Sequence, residues 1–135
     1  MKITRNASAP SRTGPTPDNF TGNVRVDNMA LAEAPSRVTT ASVTFAPGAR
    51  TVWHTHPAGQ TIIITAGRGW VQRYAGLVQE VRPGDTVFFE AGEKHWHGAA
   101  AATGMTHIAI TEMVDGRNVE WLEPVRDEQY ESAVK

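Results

Sequence analysis

A chain of 135 residues with a net charge of −1 has room for one domain and lacks the basic stripe of a nucleic-acid binder. It contains no cysteine, which excludes disulfides, zinc fingers and thiol nucleophiles and leaves any metal to histidine, amide or carboxylate. No apolar run approaches the ~20 residues of a membrane helix, and the first twenty residues lack a signal-peptide stretch, so a cytoplasmic protein with no membrane partner is expected.

Residues 1–19 carry Pro10, Pro15 and Pro17 among small polar side chains and read as an extended arm ahead of a single domain over 20–135. The first predicted strand, 20–26, ends at the turn-prone Asp27-Asn28. The next, 37–45, alternates: Thr39, Ala41, Val43 and Phe45 share one face, and Pro47-Gly48 stops it. Further strands are expected over 51–56, 61–66, 69–74, 77–81, 86–89, 95–99 and 105–113, separated by glycine- and proline-containing turns. Only the C-terminus reads as helical, with Asp127 as cap of a short helix running through Glu128, Tyr130 and Ala133. Short strands at this spacing give an all-β sandwich or barrel.

His54 and His56 are two apart in a predicted strand, so both imidazoles fall on one face, with Cβ atoms about 6–7 Å apart. Two ring nitrogens can then share one ion at ~2.0–2.2 Å. Gln60 opens the following strand and can turn its amide oxygen to the same spot, and His95 arrives from a later strand. Three nitrogens and one neutral oxygen would leave two positions open on an octahedral ion.

The spacing Gly48-x5-His54-x-His56-x3-Gln60-x6-Gly67 resembles the first motif of the cupins, with Gln60 where that family usually has glutamate. Gly84-x5-Glu90-Ala-Gly-x2-His95 resembles the second, with Glu90 replacing the usual proline and Ala99 the usual asparagine. The resemblance implies a double-stranded β-barrel, a jelly-roll, holding one divalent metal. One subgroup is closer still: the manganese-dependent, (R)-selective hydroxynitrile lyases that act on mandelonitrile. The likeness runs through Ala41–Phe45, Pro47–Arg50, Trp53-His-Thr-His-Pro57, Thr65–Gly67, Gly92-Glu-Lys-His-Trp-His-Gly-Ala-Ala100, Met105-Thr-His107 and Asp127–Tyr130. It implies manganese on His54, His56, Gln60 and His95, with Fe2+, Zn2+ and Ni2+ as alternatives for such donors. It also implies His97 as base, His107 in the pocket wall, and Ala41, Val43 and Thr111 beside the substrate. The subgroup carries glutamine at the place of Thr111.

The chemistry is coherent. A neutral glutamine leaves the site at +2 rather than the +1 a glutamate would give, and a cation lowers the pKa of a nearby hydroxyl. A histidine can take the cyanohydrin proton and return it to cyanide. Strand alternation sets His97 beside His95 and lines up His107, Ala109 and Thr111 on one face. The expected reaction is reversible cleavage of an aromatic cyanohydrin to aldehyde and hydrogen cyanide. The rival readings are an iron(II) dioxygenase and a non-catalytic cupin that binds a small ligand. Trp53 and Trp96, between inward histidines, should face outward, which suggests a homo-oligomer, a dimer or tetramer.

Overall fold

The computed structural model describes residues 1–13 and 18–132. Two antiparallel sheets face each other. The first runs in the order β1 (Arg12–Thr13), β3 (Val24–Ala30), β4 (Val38–Phe45), β12 (Met105–Glu112), β7 (Gln60–Gly67), β10 (Thr86–Phe89). The second runs β13 (Glu120–Trp121), β6 (His54–Thr55), β11 (His95–Ala99), β5 (Arg50–Thr51), β2 (Phe20–Thr21), with β8 (Gly69–Arg73) pairing β11 and β9 (Gln79–Val81) pairing β8. This is the expected all-β barrel.

Alternation builds the interior. On β4, β7 and β12 every second side chain points inward, so residues cross the first sheet in rows: Thr39, Thr111, Gln60 and Phe89; then Ala41, Ala109, Ile62 and Val87; then Val43, His107 and Ile64. Val24, Val43, Phe45, Ile62, Ile64, Val71, Val81, Phe89 and Met105 form the core between the sheets.

Several expectations change. The predicted strand 20–26 is two strands in different sheets: Phe20 pairs with Thr51 in one, the chain turns at Gly22, and Val24 pairs with Phe45 in the other. Asp27 and Asn28 do not turn. They pair with Ser42 and Ala41, and the irregularity comes one residue later, between Asn28 and Ala30. Within the arm, Arg12 and Thr13 pair with Val26 and Arg25 and add an edge strand. The predicted strand 51–56 is broken at Val52-Trp53.

Trp53 and Trp96 do face away from the histidines, but they are covered within the chain. With Trp70, Ala100, Val125 and Tyr130 they form a second core beneath the C-terminal segment. That segment is pinned by Arg50, whose buried guanidinium donates to Val125 O (2.9 Å) and Asp127 Oδ1 (2.7 Å) and lies over the Tyr130 ring. Tyr130 in turn donates its hydroxyl to Ala99 O at 2.8 Å. These tryptophans therefore give no argument for a subunit contact. The helix, α1 (Asp127–Glu131), is capped not by Asp127 but at Arg126, whose N–H donates to the Gln129 side chain. Asp127 sits in the first turn, where its carboxylate meets the helix dipole and Arg50. Ala133 lies outside the described residues.

Candidate metal centre

All five histidines of the chain converge between the sheets. His54 and His95 sit directly opposite on β6 and β11, with ring centroids 4.3 Å apart. His56, just past β6, is 5.0 Å from His54 and 5.5 Å from His95. The turn that follows delivers Gln60. Gly59 holds φ +81°, and a Cβ there would lie 2.6 Å from Phe89 O, so only glycine lets β7 begin against β10 at this point. Gln60 Oε1 then stands 3.2 Å from Nε2 of both His95 and His97. Phe89 stacks on His95 at 3.7 Å.

Tautomers follow from the partners. Nδ1 of His54 donates to Val52 O (2.8 Å), that of His56 to Asn118 O (2.6 Å) and that of His95 to Glu93 O (2.8 Å). Carbonyls only accept, so Nδ1 carries the proton and each Nε2 presents a lone pair. His56 Nε2 is buried with no hydrogen-bond partner among the described residues. Nε2 of His95 faces Gln60 Oε1, one acceptor against another. A cation between them satisfies both, and about 3 Å is the spacing of adjacent ligands on an octahedral ion at ~2.1 Å. The residues fit a divalent metal, and the backbone carbonyls behind the rings are the supports that metal-binding histidines use.

Ring nitrogens of His54, His95 and His97 all lie within 4.8 Å of one another, so the tightest group contains His97 where the sequence leads one to expect His56. The second nitrogen distinguishes the two. His97 Nδ1 meets no carbonyl but His107 Nε2, at 3.0 Å, making an imidazole pair. Burial pushes every one of these histidines below its ordinary pKa, His95 and His107 to about 3. Like-charge repulsion from neighbouring rings adds to this at His54 and His97. Neutral rings are what metal ligation requires.

A cavity of about 470 Å³ opens beside the centre. Ala41, Val43 and Thr111 line it, as do His56 and Gln60, whereas His54, His95, His97 and His107 lie buried outside its lining. Two larger hollows, of about 590 and 690 Å³, lie between the N-terminal segment and β3 and contain no histidine. Among the lining residues that the sequence does not single out, three touch the site residues directly. Thr39 and Asn118 bond to Thr111, and Trp121 covers His54 at 5.0 Å. Glu120–Trp121 is too short a strand to show a period, and Asn118 sits in a turn beside the Val114–Arg117 bridge.

The family model for the cupin domain matches residues 41–111, the stretch that supplies most of β4, every histidine and Gln60. The chain belongs to the cupin family. Among cupins it is 59% identical over 130 residues to the (R)-mandelonitrile lyase of Granulicella tundricola, covering 96% of this chain and 98% of that one. The crystal structure of a cupin-like protein from Thermotoga maritima superposes with a TM-score of 0.86 at 36% identity, over 96% and 97% of the two chains. The polyketide cyclase RemF from Streptomyces resistomycificus, at 17% identity and a TM-score of 0.71 over 100% of this chain and 94% of its own, shares the fold.

Proposed function

We propose that this cupin is a manganese-dependent hydroxynitrile lyase that reversibly cleaves aromatic cyanohydrins such as mandelonitrile to aldehyde and hydrogen cyanide. The full-length likeness to an (R)-mandelonitrile lyase carries this reading. In it, His54, His56, Gln60 and His95 hold the ion, which supplies Lewis acidity toward the substrate hydroxyl. The apolar side chains of Ala41 and Val43 give the aromatic ring a wall within the cavity. His97 takes the hydroxyl proton at Nε2, the nitrogen next to cavity-lining Gln60. For that nitrogen to be basic, Nδ1 must carry the ring proton and donate it to His107 Nε2, a direction the 3.0 Å contact permits and one that places the His107 proton on its own buried Nδ1. The carbon–cyanide bond then breaks with its electron pair leaving on cyanide, the carbonyl forms, and His97 returns the proton to cyanide.

The test is cyanide release from (R)- and (S)-mandelonitrile by protein purified without added ions, with metal analysis of the same sample. Release that tracks manganese content and favours the (R) substrate is expected. Oxygen uptake with diketones and no cyanide release would replace the proposal with an iron(II) dioxygenase.

A further inference from the structure

Asn118 touches both halves of the site. Its backbone carbonyl accepts the Nδ1 proton of His56 at 2.6 Å and so aims that ring. Its side-chain amide donates to Thr111 Oγ1 at 3.1 Å and reaches Thr39 Oγ1 at 3.5 Å. Thr39 and Thr111, opposite each other on β4 and β12, share a 2.8 Å hydrogen bond, and all three residues line the cavity beside Gln60.

Counting protons gives this cluster a direction. The two hydroxyls own two hydrogens, and the bond between them uses one. If Thr39 donates, Thr111 Oγ1 has both lone pairs filled, by Thr39 and by Asn118, and its own O–H is free. If Thr111 donates, the free O–H belongs to Thr39. Either way one hydroxyl hydrogen is left over, and the amide, which gives protons to the pair and takes none, does not consume it but fixes the pair from the side opposite to it.

We propose that Asn118 is a positioning residue that holds the Thr39–Thr111 pair as a hydrogen-bond donor to the cavity, and that this donor receives the acceptor end of the substrate, a nitrile nitrogen. The proposal rests on the lyase reading for its substrate, but the donor itself can be tested apart from turnover. Asn118→Asp is nearly isosteric, yet its carboxylate accepts and consumes the spare hydroxyl hydrogen. Asn118→Ala removes the amide and leaves the hydrogen free but undirected. A role in shape alone predicts that the alanine variant is the worse one; the donor role predicts the reverse.

Titration calorimetry with phenylacetonitrile, a nitrile that cannot be cleaved to cyanide and aldehyde, is run on the metal-loaded proteins. Binding about tenfold weaker in Asn118→Asp, with a smaller loss in Asn118→Ala and metal content unchanged in both, is expected; tenfold is the worth of one hydrogen bond. The same order should appear in KM for mandelonitrile. Equal binding by the aspartate variant and the wild type overturns the proposal, as does loss of metal from that variant, which would mean the side chain acts on His56. Nitrile binding that follows the predicted order in a protein releasing no cyanide would refute the lyase and leave the subsite standing.

Discussion

Replacing His107 by leucine should remove a defined part of the protein's sensitivity to acid. His107 is fully buried, with its ring 5.5 Å from Phe45 and 4.7 Å from His97, and burial holds its pKa at about 3 against 6.5 in an unfolded chain. The folded-state value is depressed, so between those limits the unfolded chain binds more protons and stability falls as pH falls. The contribution is complete above about 6.5 and is lost as the pH drops toward 3. Between pH 7 and pH 5 an unfolded histidine goes from about a quarter protonated to nearly full, while the folded one stays neutral. The integral is about 2 kcal/mol, and any folded value below about 4 gives the same figure at pH 5. The other four imidazoles act in the same direction, so the wild type loses more than this in total. The measurement is a double difference: denaturant midpoints of wild type and His107→Leu at pH 7 and pH 5, with a chelator present so that metal release contributes nothing. Stranding His97 Nδ1 without its partner costs the variant stability at both pH values and cancels. The wild type should lose about 2 kcal/mol more than the variant. Equal losses would mean that His107 is protonated in the folded protein or is reached by water, and the neutral imidazole pair would fall with it.

Five further substitutions probe three separate parts of the structure. His56→Ala and His95→Ala should each lose bound metal, whereas His97→Ala should keep it and release cyanide ~10²- to 10⁴-fold more slowly; metal loss from His97→Ala instead would make the group of His54, His95 and His97 the ligand set. Gly98→Ala puts a Cβ 2.5 Å from Arg50 Cβ and 2.6 Å from Ala49 O, where β11 crosses β5. Overpacking of that kind should cost about 1–3 kcal/mol in chemical denaturation. Tyr130→Phe removes the buried hydroxyl that donates to Ala99 O and should cost about 1 kcal/mol, measured in the same way.

The barrel was legible because its strands alternate. Residues 38–45, 86–89, 95–99 and 105–112 are strands much as the pattern predicts, since one face of each meets the core and the other meets solvent or a second layer. What alternation cannot report is which sheet a strand joins. Phe20 and Val24 read as one segment, yet they belong to opposite sheets because the chain turns at Gly22 between them. Nor can it say what covers an outward side chain. Trp53 and Trp96 were correctly turned away from the histidines, but their cover comes from Val125 and Tyr130, some thirty to eighty residues on, held down by Arg50. Nothing local in the sequence ties Arg50 to that segment.

At the centre the limit is of another kind. The spacing of His54, His56, Gln60 and His95 brings four donors together, but position alone ranks His97 as near to the group as His56. What separates the rings is the atom behind each. Three Nδ1 protons end on the carbonyls of Val52, Asn118 and Glu93, which leaves Nε2 as a lone pair fixed in direction; the fourth ring, His97, is backed by another imidazole. A carbonyl locks a tautomer, whereas an imidazole can exchange a proton with its partner. A ring that must stay a ligand needs the first kind of support, and a ring that must gain and lose a proton gains from the second. Two of those carbonyls, at Val52 and Glu93, lie two residues before their histidines and follow from the local backbone. The third comes from Asn118, sixty-two residues after His56, and its own side chain reaches Thr111 in the cavity wall. A change at Thr111 is therefore transmitted toward His56 through one residue, which couples the cavity wall to the orientation of that ring.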